Sequence, residues 1–480
     1  MKKALLTLII GLFAYTIYAQ NARLAQQYYR DGEYEKAAVL YDKLFAKNQR
    51  NDYYFERYIN CLIQLESYTQ AETSIKKQMK KRPNDIQLYV SYGNVLERQF
   101  KEEEADEQYA KAIQRLTADK FYITKLASAF TQKTKYDLAI EVYQQGEDLL
   151  EDPYLFAYNL AELYRRKNEA KKMIAEYLNT IMQSPARQKT IETMLQRYLP
   201  KEGYKELQAQ LYERIQEYPD IIAYPEMLAW VFIQEKDYTK ALRQVRALDR
   251  KLKENGGRVY QLAEIAANDK DYDAAIAAYR YIVEQKGQTS SFYLDAKREL
   301  LRNKRNKLVE GFDYNKDDLA GLRVEYDTFL EEFGRSKVTA PIVLEYAELE
   351  AFYMNDLDKA IELLSELVEY PGNNRTVLAN AKLRLADFYL MQGERWEATL
   401  LYSQVDKEFK DDILGHEARY RNARLSYYAG DFEWAQAQFD VLKTSTSKLI
   451  ANDAMDMSVF IMDNMGLDTP TVPLEMYAAS

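Results

Sequence analysis

Apolar residues recur along this chain at the three- and four-residue spacing of helix faces, and the helical pattern itself repeats. Ala37, Ala71, Ala105 and Ala139 stand 34 residues apart, as do Ala241 and Ala275, and 139 to 241 is three such periods. The two registers between hold Met173 and Leu207. Three residues before these anchors stand Tyr34, Tyr68, Tyr136, Tyr204, Tyr238 and Tyr272, with Glu102 and Ala170 as exceptions. Four residues after them come Tyr41, Ile75, Tyr109, Tyr143, Tyr177, Leu211, Val245 and Tyr279. Thirteen before them every register is apolar, from Leu24 and Tyr58 to Leu228 and Leu262. Twelve before them small residues dominate: Ala25, Gly93, Ala127, Ala161, Ala229 and Ala263. Pro83, Pro185 and Pro219 share one phase, twelve after the anchor, where a second helix should stop.

This spacing predicts two amphipathic helices per unit, with a small residue where the pair must approach closely. One such hairpin cannot bury its own apolar face, so neighbours must stack. The pattern resembles the tetratricopeptide repeat (TPR) family over about residues 21–287, on the small-residue, aromatic and proline positions just quoted. The resemblance implies an all-α, right-handed α-solenoid of stacked helical hairpins, with about 12 repeats in two arrays. Repeats five and six are degenerate at the anchor, and their helices are expected to pack wider or shifted.

The phase breaks after Tyr279. Residues 288–340 read as an irregular helical connector, with a helix through Leu319–Phe333. A second array is expected over 341–480: Ala386 and Ala423, Gly393 and Gly430, Ala398 and Ala435, and Tyr402 and Phe439 are each 37 apart. These longer hairpins resemble periplasmic TPR proteins of outer-membrane assembly or Tol–Pal-linked division. Residues 473–480 look like the start of a further first helix, which predicts an array that continues beyond Ser480.

The first twenty residues have another character. Lys2 and Lys3 precede an apolar run from Ala4 to Tyr18, and Ala19-Gln20 resembles a cleavage junction. Residues 1–20 therefore read as a secretory signal peptide, the run being short for a bilayer span of about 20 residues. No other segment is long and apolar enough to span, and no Cys stands by the junction to carry a lipid. A periplasmic location follows. The formal charge is −9, or −11 once the two lysines are removed, and no basic field is present for nucleic acid.

Composition then limits the chemistry. The chain holds one His (His416) and one Cys (Cys61). That excludes a structural zinc site and any intrachain disulfide, and leaves His416 as the sole base for a triad. There is no Gly-rich phosphate loop, and no cofactor is implied. Carboxylate pairs, the one catalytic constellation left, recur on every acidic helical face. The sequence is therefore read as non-enzymatic. His416 and Cys61 read as packing residues.

Two basic runs stand out. Lys76, Lys77, Lys80, Lys81 and Arg82 are expected to close a second helix, where cations are favoured. Lys297–Lys307 carries six basic residues against Glu299 alone, and reads as a solvated helix or a contact for acidic headgroups or an acidic partner.

In TPR proteins the concave face is lined by the second, fifth, ninth, twelfth and thirteenth residues of each first helix. By that resemblance the candidate groove residues are Tyr53, Glu56 and Asn60 in repeat two and Asn94, Glu97 and Arg98 in repeat three. Repeat five gives Tyr158, Glu162, Arg165 and Arg166; repeats seven and eight give Glu226, Trp230, Tyr260 and Glu264. Such aromatic and charged groups suit extended peptide segments. The family's carboxylate clamp for chaperone tails wants Lys at the fifth position, where Glu56 and Val90 stand, so that mode is disfavoured. The implied function is an exported scaffold that binds other envelope proteins in assembly, secretion or division. The alternative is a carbohydrate-binding TPR protein of nutrient uptake, invited by 42 tyrosines and three tryptophans.

Overall fold

The computed structural model describes residues 20–49, 51–311, 314–372, 374–465 and 471–480. The expected signal segment therefore lies, but for Gln20, outside the described residues. Every regular element among the described residues is a helix. The chain divides into two compact units, one ending at Gln234 and the other beginning at Glu235.

In the first unit the helices pair as the period requires. A helix over 20–30 is followed by Tyr34–Lys47, then Asp52–Gln64 with Tyr68–Lys81, and Gln87–Arg98 with Glu102–Gln114. Lys120–Gln132 with Tyr136–Leu150, Ala157–Arg166 with Ala170–Gln183, and Gln188–Tyr198 with Gly203–Glu217 follow, and Ala223–Gln234 closes the unit. The second unit opens with Tyr238–Lys251. It continues through five hairpins, from Gly257–Asn268 with Tyr272–Tyr281 to Ile413–Tyr428 with Phe432–Leu442, followed by the helices Lys448–Asn464 and Val472–Ala479. The tyrosines placed three before the anchor begin their helices at Tyr34, Tyr68, Tyr136, Tyr238 and Tyr272.

The anchors are the centre of each hairpin's core. Ala37, Ala71, Ala139, Ala241 and Ala275 are fully buried, and so is Leu207; Met173 is nearly so. In repeat three the aromatic four residues after the anchor, Tyr109, lies against the small residue of the first helix, Gly93. At Gly93 this contact is literal: a Cβ built there would stand 2.4 Å from Tyr109 Cε1, so only glycine fits beneath the ring. Tyr109 Oη donates to Glu97 Oε2 (3.1 Å), which keeps the buried ring's hydroxyl paired.

In repeats two to six and eight the extent of packing within a hairpin tracks this small residue and not the anchor. Where Gly93, Ala127, Ala161 or Ala263 occupies the position, the two helices pack along their length; where Ile59 or Leu195 occupies it, they pack far less. Repeat six is wide, as expected, because Leu195 fills the approach. Repeat five is not, although Met173 replaces its anchor alanine, because Ala161 still allows the approach. The bulky anchor is absorbed in the core, while a bulky residue at the crossing forces the backbones apart.

A second device with the same period ends each first helix. Gly32, Glu66, Phe100, Thr134, Asn168, Lys236 and Lys270 are spaced by 34 or a multiple of it, and all have φ between +56° and +78°. The next residue's N–H reaches back five residues, as in Ser67 N to Leu62 O (2.8 Å) and Lys101 N to Leu96 O (3.1 Å). This is a left-handed helix stop, normally a glycine position. Only Gly32 is one, so each of the others carries backbone strain of about 1 kcal/mol or more. In repeat six Glu202 stays right-handed and the second helix begins at Gly203.

The contact beneath Tyr109 gives the first expected outcome. Gly93→Ala should cost about 1–3 kcal/mol through overpacking, read as an earlier urea midpoint. Tyr109→Leu, which removes the ring, should make the second substitution much cheaper; a full, additive penalty in the double variant would refute the contact's role.

Candidate functional site

The inner face of the first unit is built by the successive first helices Asp52–Gln64, Gln87–Arg98, Lys120–Gln132 and Ala157–Arg166. Two lysines of the third helix reach over the second to the first. Lys125 Nζ meets Asp52 Oδ2 (3.1 Å), and Lys133 Nζ donates to Asn60 Oδ1 (3.0 Å), each across 73 residues. Asp52 is also paired with Arg82, the residue that caps Tyr68–Lys81, so part of the first basic run serves an internal bridge.

These bridges decide what remains open. Asn94 is largely buried and gives its remaining edge to a cleft, and Asn60 is held by Lys133. Glu56 is half-buried; burial pushes its pKa above the usual carboxylate value, against the pull of Lys133. Lys133 is pushed down by burial, with Glu56 opposing. Tyr53 is exposed, with Arg57 over its ring (5.2 Å). Glu97 pairs with Lys135 and Tyr109, and Arg98 is exposed. Asn94, Glu97 and Arg98 come together with Lys133, Lys135, Glu66 and Phe100 in a cleft of about 800 Å³ at the ends of the first helices.

A second cleft, about 370 Å³, opens between the helices Lys120–Gln132 and Ala157–Arg166. Ser128, Thr131 and Gln132 line one wall, and Tyr158, Asn159, Glu162, Leu163 and Arg166 the other, with Tyr143 between. Asn159 Nδ2 donates to Tyr143 Oη (3.3 Å). Glu162 accepts from Tyr177 Oη (2.5 Å) and from Arg165 Nη2 (2.9 Å). Burial raises the Glu162 pKa, but Arg165 and Tyr177 outweigh it and leave the carboxyl below its ordinary value. Arg165 also lies over the Tyr198 ring (4.3 Å), and Arg187 over Tyr158 (5.3 Å). Arg166 is exposed and makes no hydrogen bond or ion pair among the described residues. The wall thus offers uncharged donors and acceptors, an aromatic ring and one available cation.

The remaining candidates do not join these clefts. Glu226 and Trp230 lie on Ala223–Gln234; Trp230 is half-buried and packs on Tyr204, ring centroids 6.3 Å apart. Tyr260 and Glu264 belong to the second unit. Tyr260 stacks on Phe292 at 5.3 Å, and burial pushes its pKa up to about 12; Glu264 is exposed.

Ser128, Thr131, Gln132, Asn159 and Phe100 were not among the residues expected. The first three occupy the ninth, twelfth and thirteenth positions of repeat four, so the spacing rule applied to that repeat finds them. Phe100 carries no such signal: it is a 93% exposed ring on the left-handed stop.

The basic run Lys297–Lys307 resolves differently from the first. It lies within the helix Tyr293–Gly311, and all six cations are paired. Lys297 meets Glu332, Arg298 meets Asp295 and Glu299, and Lys304 meets Glu325. Arg302 meets Glu345 (2.6 Å), Arg305 meets Glu348 (3.0 Å) and Lys307 meets Asp273. Glu348 continues to Arg384 (2.8 Å), and Asp387 joins Arg384 (3.4 Å) to Arg421 (2.7 Å). An alternating ladder therefore runs across successive first helices of the second unit, and the run is a neutralised internal clip.

His416 Nδ1 and Ser445 Oγ are hydrogen-bonded (2.8 Å), and Cys61 is buried with its thiol pushed up to about 11 by burial. Among the described residues no cluster of three or more His, Cys, Asp or Glu is arranged to hold a metal, and no helix is long and apolar enough to cross a membrane.

No protein-family model matches the chain, and no curated protein matches it. Solved structures similar to it include yeast Tom70, at 12% identity and a TM-score of 0.36 over 97% of this chain and 99% of that one. The APC/C hetero-tetramer Cut9–Hcn1 matches at 14% and 0.32, over 91% and 89%. Naa15/Naa10 bound to HypK-THB matches at 14% and 0.27, over 92% and 70%. At these identities and scores the likenesses assign no family.

The Glu56–Lys133 pair predicts a coupled result. Lys133→Met, which removes the hydrogen bond to Asn60 together with the attraction to Glu56, should cost about 1.5–3 kcal/mol at pH 8, the worth of a hydrogen bond from a charged group. The cost should shrink in a Glu56→Gln background and at pH 4, where Glu56 is protonated. The folded-state pKa of Glu56 is raised, so its own unfavourable contribution appears as the pH rises through that value. Urea unfolding of the four variants at both pH values checks this.

Proposed function

We propose that the chain is an exported, non-catalytic scaffold of the periplasm or envelope that binds segments of other envelope proteins in assembly, secretion or division complexes. The cleft between Lys120–Gln132 and Ala157–Arg166 carries this reading. An extended peptide has unpaired backbone amides along its length, and Ser128, Thr131, Gln132 and Asn159 present matching groups on both walls. Tyr158 supplies a flat apolar surface, and Arg166 supplies the charge for an acidic side chain of the peptide. Export is supported by Lys2, Lys3 and the run Ala4 to Tyr18.

Selection from a random peptide display library is expected to enrich extended sequences with an acidic residue. Tyr158→Ala and Arg166→Glu should each weaken a selected peptide about tenfold or more. No enrichment, or binding indifferent to both substitutions, would remove the cleft from the account. Glycan-array binding lost on Trp230→Ala would replace this reading with carbohydrate capture. The protein recovered from cells should begin at Gln20 or Asn21 by N-terminal sequencing; an intact Met1 would contradict export by cleavage.

A further inference from the structure

The outward side of a second helix faces away from its hairpin partner, and its first turn is polar in most repeats. Two residues before the buried anchor alanine stand Glu35, Thr69, Glu103, Asp137, Asp273 and Asp358. Before Ala398 stands Trp396, 75% exposed. Leu400, one turn further along Arg395–Glu408, is exposed on the same side. On the next second helix, Phe432–Leu442, Trp434 is 58% exposed and Val441 lies two turns beyond it, also exposed. Two of the chain's three tryptophans thus stand exposed in the first turns of two consecutive second helices, two residues and one residue before the buried alanine. Such a pair of large exposed rings marks an interaction surface.

The charges beside the rings say what covers it. Glu394 and Glu397 flank Trp396, and Asp431 and Glu433 flank Trp434; all four are exposed and make no ion pair among the described residues. Asp237, Asp271 and Asp356, at the same register as Asp431, cap their helices with the side chain, whereas Asp431 and Glu394 do not. Arg395 is the cation in these first turns, and it lies over the Trp396 ring (5.1 Å). Lys443, beside Val441, is paired with Asp440 (2.6 Å).

We propose that this face of the second unit docks a basic amphipathic helix of a partner protein. Its apolar side would cover Trp396, Leu400, Trp434 and Val441. Its lysines or arginines would meet Glu394, Glu397, Asp431 and Glu433 and lie against the indole faces. The same acids repel an anionic bilayer. They also repel a second copy of this chain, which carries a net charge of −9.

The test uses the full chain and two synthetic 18-residue helices, one Leu/Lys and one Leu/Glu, each carrying fluorescein, with the label's anisotropy as readout for every variant and the tryptophan emission of the unsubstituted protein as a second one. The Leu/Lys helix should bind with a blue shift, weaken as salt is raised, and bind about tenfold or more weakly to Trp396→Ala/Trp434→Ala. Glu394→Gln/Glu397→Gln/Asp431→Asn/Glu433→Gln, which keeps both rings, should weaken it by a similar factor. Removing four exposed acids elsewhere, by Glu102→Gln/Glu103→Gln/Glu104→Gln/Asp106→Asn, should leave it unchanged. The proposal is overturned if the Leu/Glu helix binds equally well, or if the two charge variants behave alike. It is also overturned if the tryptophan variant binds normally, if anionic vesicles give the larger blue shift, or if the chain self-associates through these tryptophans.

Discussion

An aromatic ring laid on a residue without a side chain holds the hairpin of repeat three together. At Gly93 the ring of Tyr109 occupies the space a Cβ would need. The same register carries Ala127, Ala161 and Ala263 in other close hairpins. Dispersion falls steeply with distance, so the contact is worth most when the backbones are closest. A larger residue at that register removes it by holding the helices apart, as Ile59 and Leu195 do.

The candidate clefts follow from this spacing. Close hairpins fix where each first helix lies, and the clefts open between first helices and at their ends. The inner face of the first unit is then edited by long-range bridges. Lys125 and Lys133 cross a whole repeat to Asp52 and Asn60, so that neither acceptor is left free. What stays open is the wall between repeats four and five, where the exposed Arg166 stands beside uncharged polar groups. The second unit goes further in the same direction, since its ladder from Arg302 to Arg421 satisfies most of the charges on its first helices.

Local periodicity made the fold legible. Tyr34, Tyr68, Tyr136, Tyr238 and Tyr272 open the helices the period assigns them, and the anchor alanines are buried. The left-handed stops were not legible, because Glu66, Phe100, Thr134 and the two lysines at 236 and 270 give no glycine signal. The spacing rule placed Tyr158, Glu162, Arg165 and Arg166 near one another. It could not say that Asn60 would be taken by Lys133, 73 residues away, since that contact depends on how three repeats stack. The charge of Lys297–Lys307 was equally visible, but its neutralisation depends on acids up to 43 residues further along.

In repeats two to six the small residue of the first helix, and not the anchor of the second, tracks how extensively a hairpin packs. Repeat five separates the two, because it keeps Ala161 and has lost its anchor alanine to Met173. The direct measurement is a pulsed-EPR distance between spin labels at Asn159→Cys and Gln183→Cys, both exposed, with buried Cys61 replaced by Ala. Ala161→Leu should lengthen that distance by about 2 Å, the span of normal helix-pair separations, while Met173→Ala should leave it unchanged. A distance that ignores Ala161→Leu, or that moves with Met173→Ala instead, would contradict the account.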